Sequence, residues 1–345
     1  MEVTYDVAIA GGGPAGCAAA ITAARAGKRT VLFERGAYPR HRVCGEFISA
    51  EAHDVLLSLL GNRHPLLCDP PRITRARMFS ERNSVEFELD HPGWSISRCD
   101  LDFALWEVAK QSGVECVQQS VDAIEREVNG FAVRLGSQAL GATTVINASG
   151  RWSNLRRPFV DTGPRWIGIK AYFTGEQAPP SADLYFFQGG YCGVQPISKT
   201  HLNASAMVRS DVAKTIDEVF AGHPNLWLRS RAWERTTEVI TTSPLVHVTP
   251  EPVTDGVLNA GDAAAFIDPF VGDGISLALR SGVLAGQSAS AGEYEVTYFQ
   301  QFGKAFRAAG LARRLVQSPT VHALAAFAFR SQSLKRWALK RTRGI

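Results

Sequence analysis

The sequence predicts an α/β protein: a parallel sheet flanked by helices, interleaved with a second, antiparallel sheet, and followed by a helical C-terminus. Three observations carry this prediction. Residues 5–35, YDVAIAGGGPAGCAAAITAARAGKRTVLFER, read as strand, glycine turn, helix and second strand. Residues 259–276, NAGDAAAFIDPFVGDGIS, place another glycine-rich turn before a second helical run. Between them, ADLYFFQGGYCGVQPISKTHLNASAMV (182–208) reads as strands with a turn at Gly189-Gly190. A chain of 345 residues suits one large or two interleaved domains with ample core.

Each part of the first stretch has a physical task. The apolar strand Val7–Ala10 runs directly into Gly11-x-Gly13-x-x-Gly16. Gly11 permits the tight turn, Gly13 lets backbone approach a pyrophosphate, and Gly16, beside Ala15, lets the helix pack close to the strand. The helix runs to Gly27, and its N-terminus offers unpaired N–H groups and a partial positive charge. The second strand, Thr30–Phe33, ends at Glu34, placed to hydrogen-bond a ribose hydroxyl. Together these predict a Rossmann-like dinucleotide site. The second glycine cluster lies far downstream, beyond a simple Rossmann half, which favours a longer ligand such as FAD over NAD.

Composition excludes several classes. Hydrophobic residues make up 45% and charged residues 20%, an ordinary globular balance. No apolar run approaches the ~20 residues that span a bilayer, and the start MEVTYDVAIAGGG has no basic n-region of a signal peptide. Six scattered cysteines with no C-x-x-C pair argue against a zinc site or a disulfide framework, so no metal and a reducing cytoplasm are expected. The net charge of +4 is uneven: ten basic and no acidic residues lie between Lys304 and Ile345. The remaining 303 residues hold 27 basic against 33 acidic. A mildly acidic body thus ends in a basic tail.

With these motifs in hand, the sequence resembles flavoproteins of the para-hydroxybenzoate hydroxylase fold, and within them the geranylgeranyl reductase family. RHRVCGEFIS (40–49) resembles the family's Cys-Gly segment, and ISRCDLDFALWEVAKQSGV (96–114) its Arg-x-x-x-Asp-x-x-Leu helix. VINASGRWSNLR (145–156) resembles its strand-and-turn, and residues 261–276 its flavin loop. The resemblance implies that FAD is held by Gly11, Gly13, Ala15, Gly16, Glu34, Arg42, Cys44, Gly45, Arg98, Val121, Asp262, Pro269, Gly272, Gly274 and Ile275. Asp262 would meet the ribityl or pyrophosphate region and Pro269 would pack near the flavin ring. Gly272, Gly274 and Ile275 would start a helix aimed at its pyrimidine edge, where N–H groups stabilise the charge of reduced flavin. Arg98 would bind the FAD phosphate or ribityl, although a surface ion pair also explains it. Asp100 can cap its helix, Leu101, Leu105 and Val108 form the apolar stripe, and Gly113 ends it. Val121 would hold the adenine through its backbone, its side chain reading equally well as strand core.

Interleaving assigns 1–75, 98–162 and 252–290 to the FAD-binding domain, 76–97 and 163–251 to the substrate domain, and 291–345 to a basic helical segment. The family carries Tyr/Phe-x-Trp-x-Phe-Pro followed by a distal glycine. Here Tyr191 and Pro196 match, while Gly193, Gln195 and Ala204 replace the Trp, the Phe and the glycine. Two aromatic walls are lost and an amide appears, so Gln195 and Tyr191 are candidate substrate contacts for a small-molecule or lipid-like substrate. Cys44 is a candidate proton donor opposite the flavin hydride, or simply packs, and Tyr191 is a second candidate acid. His41 stands beside Arg42 as a further cofactor or substrate contact.

The resemblance implies a reductase that passes hydride from reduced FAD to a double bond, with NAD(P)H or another reductant as donor. The alternative is an FAD-dependent monooxygenase (hydroxylase), in which reduced FAD captures O2. A flavin halogenase is disfavoured because no lysine lies between Lys28 and Lys110 and no Trp-x-Trp is present. A flavin-binding protein without turnover is the remaining class. The tail VHALAAFAFRSQSLKRWALKRTRGI (321–345) can lie on an anionic membrane, with Trp337 at the headgroups, or pack on the body. No recognisable fold supports nucleic acid as its partner.

Overall fold

The computed structural model describes residues 3–317 except 82, 152, 156–164, 178, 244, 246–248 and 267–272, and for residues 3 and 308–317 the backbone alone. Two mixed sheets organise the chain. In the first, Val3–Ala10 lies between Thr30–Phe33 and Gln138–Asn147 and is parallel to both. Glu115–Val117 extends it beyond Thr30–Phe33, and Val257–Asn259 beyond Gln138–Asn147, again in parallel. These central strands are apolar on both sides because both faces are covered. Val7 and Ile9 face helices Pro14–Arg25, Arg98–Gln111 and Gly274–Gln287, whereas Ala8 and Ala10 face the hairpin of Ala123–Glu127 and Gly130–Leu135. Helix Gly274–Gln287 crosses Pro14–Arg25 at close range: a methyl on Gly282 would stand 2.2 Å from the Ala15 carbonyl oxygen.

Helix Arg98–Gln111 buries Leu101, Leu105 and Val108, the predicted stripe, and Gly113 follows it at φ +85°. Its cap differs from the expectation. Ser97, still outside helical dihedrals at φ −54° and ψ 133°, accepts from the Cys99 N–H, and Asp100 lies in the first turn. Ser97 precedes the first helical residue, which is where a side-chain oxygen reaches the free N–H groups.

The second sheet runs in the order Ile240–Thr242, Trp166–Thr174, His201–Arg209, Gly190–Pro196, Ser181–Phe187, Arg72–Phe79, Ser84–Ser95 and Phe47–Ile48. Its strand Arg72–Phe79 begins ahead of the 76–97 segment read from the sequence. The turn at Gly189 is present, with Phe187 paired to Gly190. One face packs on helices Ile216–Ala221 and Pro224–Ser230, with Ile169, Ala171, Phe173, Cys192 and Val194 meeting Ile216, Val219, Phe220 and Leu226. Alternation then sends Lys170, Tyr172, Tyr191 and Gln195 to the opposite face. Phe47–Ile48 pairs with Trp94–Ser95, so the chain passes between the sheets immediately after Cys44.

No helix among the described residues is long and apolar enough to cross a membrane. The tail 321–345 lies outside the described residues.

Leu101 is wholly buried and Phe103, on the same helix, is 42% exposed. Leu101→Ala is expected to cost about 2–5 kcal/mol in urea unfolding. Phe103→Ala should cost less than about 0.5 kcal/mol. Equal losses would contradict this helix orientation.

Candidate functional site

The first glycine turn meets the end of Gln138–Asn147 backbone to backbone. Gly11 has φ +105°, and a methyl there would stand 2.4 Å from the Ala148 carbonyl oxygen. A methyl on Gly16 would fall 1.7 Å from the Gly11 carbonyl oxygen. Gly13 is the contrast: nothing lies within 4 Å of the position a side chain would take. Gly13 is also the N-cap of helix Pro14–Arg25, which has no side-chain cap and no acid in its first turn. The helix start therefore presents N–H groups and positive potential to open space. Ala15 is buried against Gly261, whose own methyl would stand 2.9 Å from Ala15 Cβ. The two glycine segments thus come together across some 250 residues of chain.

Glu34 is buried at the end of Thr30–Phe33. Its carboxylate accepts from the Gly12 N–H at 2.9 Å, the Gly36 N–H at 2.9 Å and Arg40 Nη1 at 2.8 Å. Burial alone would raise its pKa, but Arg40 and the two N–H groups hold it below the ordinary carboxylate value. The predicted ribose acceptor is therefore also held by the chain's own donors. Tyr38 packs on Trp106 with the rings tilted by 32° and their centroids 4.9 Å apart, and its hydroxyl donates to the Gly12 carbonyl. Arg42 stands in a row of cations with Arg40 and Arg98, and burial together with these like charges lowers its pKa.

Three other segments converge beside this turn. Arg98 forms a two-bond pair with buried Asp102 at 2.7 and 2.8 Å, an inward pair rather than a surface one, and the Cys44 side chain lies beside it. Burial works against the charge on Arg98, and Asp102 outweighs it, so the guanidinium stays above its ordinary value. Arg151 Nε lies 3.3 Å from Asp262, and its guanidinium sits over the Phe266 ring at 4.0 Å. Burial lowers its pKa, opposed by Asp262 and Cys44, and its Nη1 is buried with no hydrogen-bond partner. Ser49 Oγ lies 2.7 Å from both Asp273 and Ser276, which ties the segment after Cys44 to the start of helix Gly274–Gln287. That helix also lacks a side-chain cap, and the space at Gly274 is open.

The structure thus brings Gly11–Gly16, Glu34, Arg42, Cys44, Gly45, Arg98, Asp262 and Gly274 to one end of the first sheet. Ile275 and Val121 contribute their side chains to the core, at 4% and 6% exposure, which leaves only their backbone to face a ligand. Pro269 and Gly272 lie outside the described residues. Tyr191 is buried among Met207, Leu245 and Phe266. Gln195 is buried, with its amide nitrogen donating to Ser95 Oγ at 2.7 Å. His41 packs edge-on against Tyr172 with centroids 5.1 Å apart.

Sequence reasoning missed Arg151, Glu46, Lys170, Tyr172 and Asn203. Arg151 follows directly on the recognised Ala148-Ser149-Gly150 turn, and Lys170 is the lone charge in the apolar strand WIGIKAYFT. Both were visible signals. Among the described residues there is no group of three or more His, Cys, Asp or Glu arranged to hold a metal.

Because the Glu34 pKa is depressed in the folded state, its stabilisation is present above the ordinary value of 4.5 and is lost as pH falls through the folded value. The stability gap between wild type and Glu34→Gln should therefore narrow between about pH 7 and about pH 3. Urea melts across that range check this, and a constant gap would contradict the assigned partners.

Residues 6–39 match the family model described as FAD dependent oxidoreductase. The chain is 28% identical over 319 residues to digeranylgeranylglycerophospholipid reductase 1 of Methanopyrus kandleri, covering 83% of this chain and 80% of that protein. It is 26% identical over 325 residues to menaquinone reductase of Mycobacterium tuberculosis, covering 83% and 77%. Conditioned medium factor receptor 1 of Dictyostelium discoideum is 24% identical over 325 residues, and there the chain spans 63% of the relative's length. Among solved structures, the flavin-dependent brominase Bmp2 superposes with a TM-score of 0.82 at 21% identity, covering 99% of this chain and 93% of that one. A geranylgeranyl bacteriochlorophyll reductase-like protein of Thermoplasma acidophilum gives 0.75 at 21% identity, covering 99% and 97%. At such identities the structural likeness speaks for the fold alone. The open cradle over Gly13, two helix starts without side-chain caps and the unpartnered buried Nη1 of Arg151 fit a pyrophosphate-bearing flavin. The chain is an FAD-dependent oxidoreductase of the para-hydroxybenzoate hydroxylase-like fold, with reductases of the geranylgeranyl type among its relatives.

Proposed function

We propose that the chain reduces a double bond in a small-molecule or lipid-like substrate. One observation carries the reading: an apolar wall adjoins the cationic cofactor end. Tyr191, Met207, Leu245 and Phe266 pack together, and Phe266 lies directly under Arg151. An apolar, unsaturated substrate suits that junction, and the names of two relatives specify menaquinone and digeranylgeranylglycerophospholipid. Beside Tyr191, on the same face of its strand, the wall is thin, because a methyl on Gly193 would meet only Leu184 at 3.5 Å and Ser205 at 3.6 Å. This favours a substrate of different outline from those held by the reductase pattern.

When bound and reduced, FAD would supply the hydride for one carbon of the double bond. The chain must then supply a proton to the other carbon and keep water away from both. Half-buried Cys44, whose sulfur accepts from the Glu46 N–H at 3.3 Å, is the donor we favour. Tyr191 is the second candidate. Glu34 and the helix start at Gly13 would hold the adenosine and pyrophosphate, while Arg98, Arg151 and Asp262 would hold the ribityl and phosphate region. NAD(P)H or another soluble reductant would refill the electrons. A cytoplasmic protein is our reading, supported by six free cysteines. The basic residues of 321–345 would let it rest on anionic lipid while taking up substrate.

The same fold accommodates a second reading, a monooxygenase in which the reduced cofactor reacts with O2. Anaerobic reduction of FAD-loaded protein by NADPH, NADH or dithionite, then mixing with menadione or geranylgeranyl diphosphate, separates the two. Reoxidation faster than in air-saturated buffer is expected. Labelled oxygen from O2 appearing in product would overturn the reductase reading. Cys44→Ser should lower turnover by on the order of 10²-fold with FAD still bound. Unchanged turnover removes Cys44 from the chemistry. The tail is tested by co-sedimentation with anionic and neutral vesicles, comparing the full chain with one ending at Ser318. Pelleting of the full chain alone with anionic vesicles is expected, and both forms remaining in the supernatant would contradict membrane contact.

A further inference from the structure

The segment from Arg42 to Glu46 is gripped by side chains of the second sheet. Lys170 Nζ donates to the Glu46 carboxylate and, at 3.1 Å, to the Arg42 carbonyl. The Tyr172 hydroxyl lies 2.6 and 2.7 Å from the two Glu46 oxygens. From the neighbouring strand, Asn203 Nδ2 donates to the Cys44 carbonyl at 2.9 Å and the Gly45 carbonyl at 3.0 Å. From the cofactor side, the Arg98 N–H donates to Glu46 at 2.8 Å.

Glu46 and Lys170 have no exposed surface, and Asn203 is 1% exposed. None of them can touch substrate. Stability does not account for them either, since a buried ion pair is commonly matched or exceeded by apolar residues of the same volume. What such a set does supply is a single geometry. Glu46 has φ +64°, a left-handed conformation that a side chain adopts only where its surroundings over-determine it. The segment being fixed carries Cys44 and Gly45, the stretch nearest Arg98 and Arg151.

We propose that Lys170, Tyr172 and Asn203 are positioning residues: they clamp the Cys44–Gly45 backbone to the substrate sheet and hold the Cys44 thiol at one place against the cofactor. The proposal rests on the FAD reading of the site.

Two variants test it. Asn203→Ala removes two of the clamping bonds and leaves no charge unpaired. Lys170→Met combined with Glu46→Gln removes the ion pair from both ends at once. The primary readout is alkylation by iodoacetamide in the absence of FAD, mapped by peptide mass spectrometry, with exposed Cys68 as the internal reference. The Cys44-to-Cys68 rate ratio should change on the order of tenfold, as loss of two hydrogen bonds loosens the segment. The FAD-loaded variants should also show displaced flavin absorbance bands and a displaced midpoint potential. A ratio within about twofold of wild type in Asn203→Ala overturns the clamp, whether or not the double variant folds. If wild-type protein takes up no FAD, the flavin reading fails, and the alkylation ratio still decides the clamp.

Discussion

Glu46 holds a carboxylate with no water around it, and much of the site's geometry follows from satisfying that group. Removing a carboxylate from water costs several kcal/mol even after relaxation, so it has to be met by a cation and by directed hydrogen bonds. Its donors come from different parts of the fold: Lys170 and Tyr172 from the second sheet, and the Arg98 N–H from a helix of the first. The left-handed backbone at Glu46 adds strain on the order of 1–3 kcal/mol. The same turn sends Phe47–Ile48 into the second sheet and Ser49 onto the start of helix Gly274–Gln287. Residues 44–49 are therefore where the cofactor end and the substrate sheet are held in register.

The parallel core was legible because its strands are buried on both faces. A continuous apolar run followed by glycines at fixed spacing has few other readings. Thr30–Phe33 and the stripe on Arg98–Gln111 were legible for the same reason: local pattern decided them. The helix cap was misread because Ser97 and Asp100 both have capping side chains, and only the dihedrals at Ser97 show which residue stands outside the helix. Glu34 was recognised as an acceptor. That Arg40 and two N–H groups would also bind it depends on how residues 36–40 turn back, which no local pattern specifies.

Lys170 shows the limit most clearly. In an apolar strand a single lysine reads as a residue turned toward water, and its partner Glu46 lies 124 positions away. Gln195 was read as a substrate contact for a comparable reason: its amide, replacing an aromatic residue, finds Ser95 at a separation of 100 positions. Long-range polar pairs leave no periodic trace in the sequence. They surface only once the sheets are in register.

A frame shared with a brominase and with a reductase-like protein cannot by itself select a reaction. Selection falls to side chains on the inward face of the second sheet and to the thiol and cations facing it. Here that face offers Tyr191 and Met207, against which Phe266 packs with Arg151 over its ring. A crystal structure of the chain reconstituted with FAD tests the account most directly. It should show the pyrophosphate on the N–H groups at the start of helix Pro14–Arg25 and the flavin ring beside Cys44 and Arg151. A ring lying away from the Cys44–Gly45 segment, or a pyrophosphate bound elsewhere, would contradict it.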